Sequence, residues 1–210
     1  MENTYYVKSL DSDNTTKTLE GDKKVVCQNL SDILSSNIIK TNTRSFGQKM
    51  RLSTTILHDN YLKTYRPQGV IFKTDNIPDY VLPFDLILLS ETDNIVVHYY
   101  QMKDNLHQFY NHKLIVGYKQ FVFKNIGELV SKFKTPVSAW REVNTFRLKN
   151  GQKKLLKSKF RLCEYNEVVF EKSIKIEPVA VFGYRKETRE IARKFKLPYF
   201  RTARDFYLKT

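Results

Sequence analysis

Asp85, Gln101 and Lys103 each interrupt or close an apolar run in PFDLILLSETDNIVVHYYQMKDN, residues 83–105. A carboxylate inside a strand-like run is costly unless it is at an edge, paired or metal-bound. Gln101 and Lys103 are two residues apart, so they share one face of an extended chain. The linker ETDN suits a hairpin that sets Asp85 close to Gln101 across the ladder, with Lys103 just beyond at the open end. Together the three could hydrolyse a phosphodiester. Asp85 and the Gln101 side-chain oxygen are hard ligands of the kind Mg2+ (or Mn2+) takes. Such a metal polarises the scissile phosphate and acidifies a water, while Lys103 would orient that water or offset charge at phosphorus. A blander reading of the same residues stays open: Asp85 caps a strand end, Gln101 is solvated, and Lys103 is one of 36 basic residues.

The elements that must position these residues can be read on either side. Residues 8–24 (KSLDSDNTTKTLEGDKK) are polar and read as a loose arm, and VVCQNLSDILSSNI reads as a helix, so residues 1–44 form an N-terminal arm and helix. Thr43 or Ser45 can cap a second helix whose Phe46, Met50, Leu57 and Tyr61 fall on one stripe and which Pro67 ends. QGVIFKT reads as a strand and DNIPDY as a turn. Beyond Lys103, Tyr118, Phe121, Val122, Ile126, Leu129, Val130 and Phe133 recur at helical spacing, so GYKQFVFKNIGELVSKF reads as an amphipathic helix stopped by Pro136. NEVVF and IKIEPVAVF are strands, KETREIARKFK is a helix with Thr188, Ile191 and Phe195 inward, and LPYFRTARDF is a short strand or loop. Strands bracketed by helices, closing on strand–helix–strand, predict an α/β domain with a mixed central sheet flanked by helices.

Composition narrows the partners. Of 210 residues, 41% are hydrophobic and 13% aromatic, enough for a globular core and against wholesale disorder. No apolar run approaches the ~20 residues of a membrane span. The opening MENTYYVKSLDSDN is polar and acidic, unlike a secretory leader, so an intracellular place, cytoplasmic or nuclear, is expected. Cys27 and Cys163 are far apart without a CxxC partner, which argues against structural zinc and fits a reducing compartment. No P-loop, dinucleotide fingerprint or GxSxG elbow is present, and the residues around His107 and His112 do not complete a four-ligand zinc set.

Charge points to a polyanion. The formal net charge is +14, and residues 61–210, with 28 Lys and Arg against 15 Asp and Glu, hold nearly all of it. Over 141–161 the acid Glu142 faces Arg141, Arg147, Lys149, Lys153, Lys154, Lys157, Lys159 and Arg161. The last seven are the expected nucleic-acid contacts, gripping phosphates from a hairpin or loop without reading bases. The alternative is a solvated face with Leu155, Leu156 and Phe160 pinned beneath it.

With these residues in place, the stretch from Ser45 to Lys103 resembles the PD-(D/E)xK nuclease superfamily, whose core is restriction-endonuclease-like. PFD (83–85) stands where that family has its PD motif and QMK (101–103) where it has (D/E)xK, in the Gln variant of Mrr-type members. VAVFGYRKETREIARKFKLPYFRTARDFY is similar to the strand, helix and short strand that close the core of Mrr-like members. The resemblance implies a nuclease-like α/β domain over 45–210 with a basic insertion at about 106–165. It also implies Mg2+- or Mn2+-dependent endonuclease activity, with Asp85 and Gln101 as ligands and Lys103 catalytic. DNA is the implied substrate before RNA, and a homodimer would suit cutting of both strands. The chain departs from the pattern in the first core helix, where SFGQKMRLS has Gln48 and Arg51 in place of a metal-binding glutamate. Glu20 lies further upstream, and a literal Pro-Asp pair also occurs at Pro78-Asp79, in a turn. Two other readings therefore stand beside the nuclease: a catalytically inactive nucleic-acid-binding protein of the same fold, and a basic scaffold that docks to an acidic protein.

Overall fold

Runs such as LSTTI, QGVIFK and EPVAVF carry the β-branched and aromatic residues that suit a pleated, half-buried surface, and each is a strand. The computed structural model describes residues 4–10, 16–19, 23–26, 29–41, 52–85, 88, 119–170 and 172–210. The chain begins with β1 (Tyr6–Leu10), β2 (Thr16–Leu19), β3 (Lys23–Val26), α1 (Leu30–Ser36), β4 (Ile38–Ile39), β5 (Leu52–Ile56) and β6 (Gln68–Lys73). It continues through β7 (Tyr80–Leu82), a 3-10 turn Lys119–Phe121, α2 (Ile126–Lys132), α3 (Pro136–Lys149) and a second 3-10 segment, Lys157–Cys163. It closes with β8 (Glu167–Phe170), β9 (Ile174–Lys175), β10 (Glu177–Phe182), α4 (Lys186–Lys194), β11 (Tyr199–Phe200) and α5 (Ala203–Tyr207).

The central sheet has the strand order β11-β10-β6-β1-β5-β8-β7. The pairings β1–β5, β1–β6, β5–β8 and β6–β10 are antiparallel, while β10–β11, joined by α4, is parallel. This is a mixed α/β arrangement with a mostly antiparallel sheet of seven strands flanked by helices. The chain divides into two compact units, one of residues 1–79 and 168–210 and the other of residues 80–167.

In the first unit β6 is buried from Gln68 to Phe72. Val7, Ile71 and Ala180 lie in register across β1, β6 and β10 and form one core with Leu57, Phe182, Ala203 and Phe206. Phe206 of α5 meets Tyr5 and Phe200 edge-on, at 4.9 and 5.4 Å between ring centroids. Burying that one ring is worth about 1.5–3 kcal/mol, enough to dock a five-residue helix. On the other face Tyr6 stacks on its register partner Phe72 at 5.7 Å. Gly69 is required between β1 and β6, because a Cβ there would stand 2.0 Å from the Lys8 carbonyl oxygen.

Two expectations for this unit change. The helix expected to carry Phe46, Met50, Leu57 and Tyr61 is, from Leu52, strand β5. Its Leu-Ser-Thr-Thr-Ile run alternates buried Leu52, exposed Ser53 and buried Thr54, and ladders on both sides hold it extended. Thr43, Ser45 and the SFGQKMR segment lie outside the described residues. The start of the expected loose arm is also ordered, since β1 lies between β5 and β6 inside the sheet.

The second unit is built on aromatics. Val81 and Phe123 exchange two backbone hydrogen bonds of 2.8 and 2.9 Å. Phe121 sits against Phe84, Phe133 and Phe146 at 5.5–5.8 Å. The single long helix expected over 117–133 is, from Lys119, a 3-10 turn, a β-bridge at Phe123 and then α2, which starts only where the Asn125 side chain accepts the Glu128 N–H at 2.9 Å. Pro136 does not stop a helix. It occupies the first turn of α3, behind a capping box in which Thr135 and Ser138 bond reciprocally. No helix among the described residues is long and apolar enough to cross a membrane.

Candidate nucleic-acid interface and the Asp85 site

The basic run occupies a helix and a returning strap, in place of the expected hairpin or loop. α3 ends in a Schellman turn: Gly151 adopts φ +70°, its N–H donates to Leu148 O at 3.1 Å, and Gln152 N–H donates to Arg147 O at 2.8 Å. That left-handed residue reverses the chain. Three contacts then lay residues 152–160 back along α3. Arg147 Nε donates to Lys153 O at 2.8 Å, Leu155 N–H donates to Asn144 Oδ1 at 2.7 Å, and Phe160 meets Trp140 edge-on at 5.7 Å. Partners at 147, 144 and 140 against 153, 155 and 160 define an antiparallel strap. The helix buries Ala139, Val143, Asn144 and Arg147 on the side so engaged.

The strap gathers positive charge that the sequence spreads over two turns of direction. Arg141 and Lys149 on the helix and Lys153, Lys154, Lys157 and Arg161 on the return are exposed, and Lys159 is half-buried. Arg147 departs from the expected contact set. It is 4% exposed and braces the strap through the Lys153 carbonyl, so it shapes the surface without being part of it. Leu155 and Phe160 are half-buried as anchors, whereas Leu156 is exposed among the lysines. Asn144 escaped the sequence reading because a buried amide that receives a backbone N–H eleven residues on has no local signature.

Asp85 follows a buried run, Tyr80 to Phe84, and is itself half-buried. Its N–H donates to Leu162 O at 2.8 Å and its carbonyl accepts from Leu88 N–H at 2.9 Å, so the backbone is fixed on both sides. The Tyr165 hydroxyl donates to Asp85 Oδ2 at 2.5 Å, the short limit for a hydroxyl on a carboxylate. Tyr165 is buried, so it holds the carboxylate in one orientation. Eighty residues separate the two, and nothing in the sequence pairs them.

Gln101 and Lys103 lie outside the described residues, as do His98, His107 and His112. Mg2+ takes several hard oxygens in near-octahedral array. Among the described residues no group of three or more His, Cys, Asp or Glu could hold a metal. Asp85 alone, already accepting from Tyr165, does not make up such a donor set. Asp79 is exposed, as a turn residue should be. Cys163 is buried, and burial first, then the Glu164 carboxylate, pushes its thiol up to about 12, which rules out a thiolate nucleophile near neutrality. No protein-family model, no curated protein and no solved structure matches this chain.

Proposed function

We propose that this protein binds nucleic acid, DNA before RNA, through the cationic face of α3 and its strap. The observation that carries the reading is the Gly151 reversal, which folds Lys153, Lys154 and Lys157 back beside the helix that bears Arg141 and Lys149. Closely set cations of this kind neutralise phosphates and release condensed counterions, with a slope of about −0.9 in log K against log salt per contact on duplex DNA. The test is binding of a labelled duplex over a salt series. The triple variant Lys153→Gln, Lys154→Gln, Lys157→Gln should lower the slope by about 2–3 while leaving thermal stability unchanged. Wild-type protein that shows no salt-sensitive binding to DNA or RNA would sink the reading and leave docking to an acidic protein in its place.

A second reading adds catalysis, and the placement of Asp85 favours it. A half-buried carboxylate held by a buried tyrosine at the end of a buried run is an expensive arrangement to keep for solvation alone. In this reading the protein is similar to PD-(D/E)xK nucleases. Asp85 and Gln101 would hold Mg2+ or Mn2+, Lys103 would stand at the reacting phosphate, and a homodimer would cut both strands. The metal would supply the activated water and the charge that the developing phosphorane needs. Plasmid nicking that requires Mg2+ or Mn2+, stops with EDTA, and disappears in Asp85→Ala and Lys103→Ala while duplex binding persists would support it. Binding without cutting across metals and substrates would leave a nucleic-acid-binding protein that does no chemistry.

A further inference from the structure

The first unit carries a different surface, independent of α3 and its strap. In the β6–β10 pairing Phe182 stands opposite Gly69, so the chain entering β6 and the chain leaving β10 emerge side by side at one end of the sheet. Tyr65 precedes β6 and is 47% exposed; Tyr184 follows β10 and is 66% exposed. Lys63 and Arg66 flank Tyr65 in the chain, and Arg185 and Lys186 follow Tyr184. Arg201 joins from β11, whose Phe200 is the parallel partner of Phe182. Arg66 already lies over the Tyr65 ring, its guanidinium carbon 4.2 Å from the centroid. Acids at this end include Asp205, whose Oδ2 accepts from the N–H of Thr202 beside Arg201 at 3.0 Å, and Glu187 and Glu190, of which Glu190 reaches Lys186 at 3.6 Å in an exposed pair of little strength.

Two further features at this end call for an acceptor or an anion. The N-cap of α4 is Arg185, which makes no side-chain cap bond, so the first-turn N–H groups lack the acceptor that Ser, Thr, Asp or Asn would supply. Gln68, next to Gly183, is 3% exposed; its Oε1 accepts from the Thr188 hydroxyl at 3.3 Å, and its buried Nε2 has no hydrogen-bond partner among the described residues. Ligands of open α/β sheets collect beyond the carboxyl ends of parallel strands, and here those strands are β10 and β11.

We propose that Tyr65 and Tyr184, with Lys63, Arg66, Arg185, Lys186 and Arg201, form a platform for an unpaired nucleic-acid strand. Bases stack on the tyrosine rings while the cations and the α4 N-terminus take the phosphates. A duplex keeps its base faces covered and cannot use such rings, whereas single strands gain from each aromatic they reach. The site goes beyond the α3 surface proposed above and stands or falls without it.

The test measures anisotropy of a labelled oligothymidylate of about 16 nucleotides and of a duplex of equal length. Tyr65→Ala and Tyr184→Ala should each weaken single-strand binding by about 5- to 100-fold, with duplex binding unchanged. Tyr65→Phe and Tyr184→Phe, which keep the ring, should stay within about twofold of wild type. Both tyrosines are exposed, Tyr184 more than Tyr65, and circular dichroism verifies that each variant folds. Alanine variants that bind the single strand like wild type, a loss equal on duplex and single strand, or wild-type protein with no single-strand binding would each overturn the proposal.

Discussion

Removing the pin that seats the strap should loosen a cationic surface without deleting a charge, and Asn144→Ala does so. The substitution removes the acceptor of the Leu155 N–H, now bonded at 2.7 Å, and a donor to the Trp140 carbonyl at 2.9 Å. The second loss is minor, because that carbonyl keeps its helical partner. The first leaves a backbone donor unsatisfied, at about 1–3 kcal/mol when fully buried. Leu155 is half-buried, so the lower half, about 1–2 kcal/mol, applies. Alanine is the better helix former by about 0.5 kcal/mol, which offsets part of it. The net, about 0.5–1.5 kcal/mol, multiplies the open population of the strap by about 2–12. Amide hydrogen exchange should therefore quicken by that factor over 152–160 while α1 and β6 keep their protection. Thr145→Ala, one residue away on the exposed face, is the control that should change nothing in the strap. Unchanged or increased protection over 152–160 in Asn144→Ala would refute the idea that this amide holds the strap.

Three other outcomes follow from the same structure. Gly69→Ala puts a Cβ 2.0 Å from the Lys8 carbonyl and should cost at least about 3 kcal/mol by prising β1 from β6, whereas Gly151→Ala, with nothing within 4 Å, should cost only the left-handed backbone penalty of about 1–2 kcal/mol; paired thermal melts decide it. Tyr165→Phe removes the hydroxyl from Asp85 Oδ2 and should lower stability by about 1–2 kcal/mol, a Tm fall of about 2–8 °C; an unchanged melt would mean that the hydrogen bond carries no load. The Cys163 thiol, raised by burial from 9.0 to about 12, keeps its proton in the folded state after the unfolded thiol has lost its own. Its contribution is thus complete below pH 9 and declines as pH rises toward about 12, by at most about 1.4 kcal/mol per pH unit. In a Cys27→Ser background the folded protein should resist a disulfide-exchange reagent at neutral pH until guanidinium exposes the thiol.

Local chemistry left clear marks in this sequence. The β-branched and aromatic runs QGVIFK, EVVF and EPVAVF announce their strands, and KETREIARK announces α4. The caps were not legible: Thr135 stands before a proline that reads as a stop, Asn125 with Glu128 lies inside a run that reads as one helix, and Thr202 with Asp205 starts a helix in a tail that reads as strand or loop. The excess of positive charge and its concentration between 141 and 161 needed no coordinates.

Tertiary structure decided everything that depends on partners distant in sequence. LSTTI has enough hydrophobic spacing for either a helix or a strand, and only the ladders from β1 and β8 make it β5. Arg147 reads as one more surface cation until the strap closes over it and turns it into a brace. Tyr165 reaches Asp85 across eighty residues, and the segments that carry Tyr65 and Tyr184 come to one end of the sheet only through the β6–β10 register. Sequence sets the kinds of residues and their local conformational preferences. Which of them meet follows from packing and strand pairing, whose free energy belongs to contacts between segments and to neither segment alone.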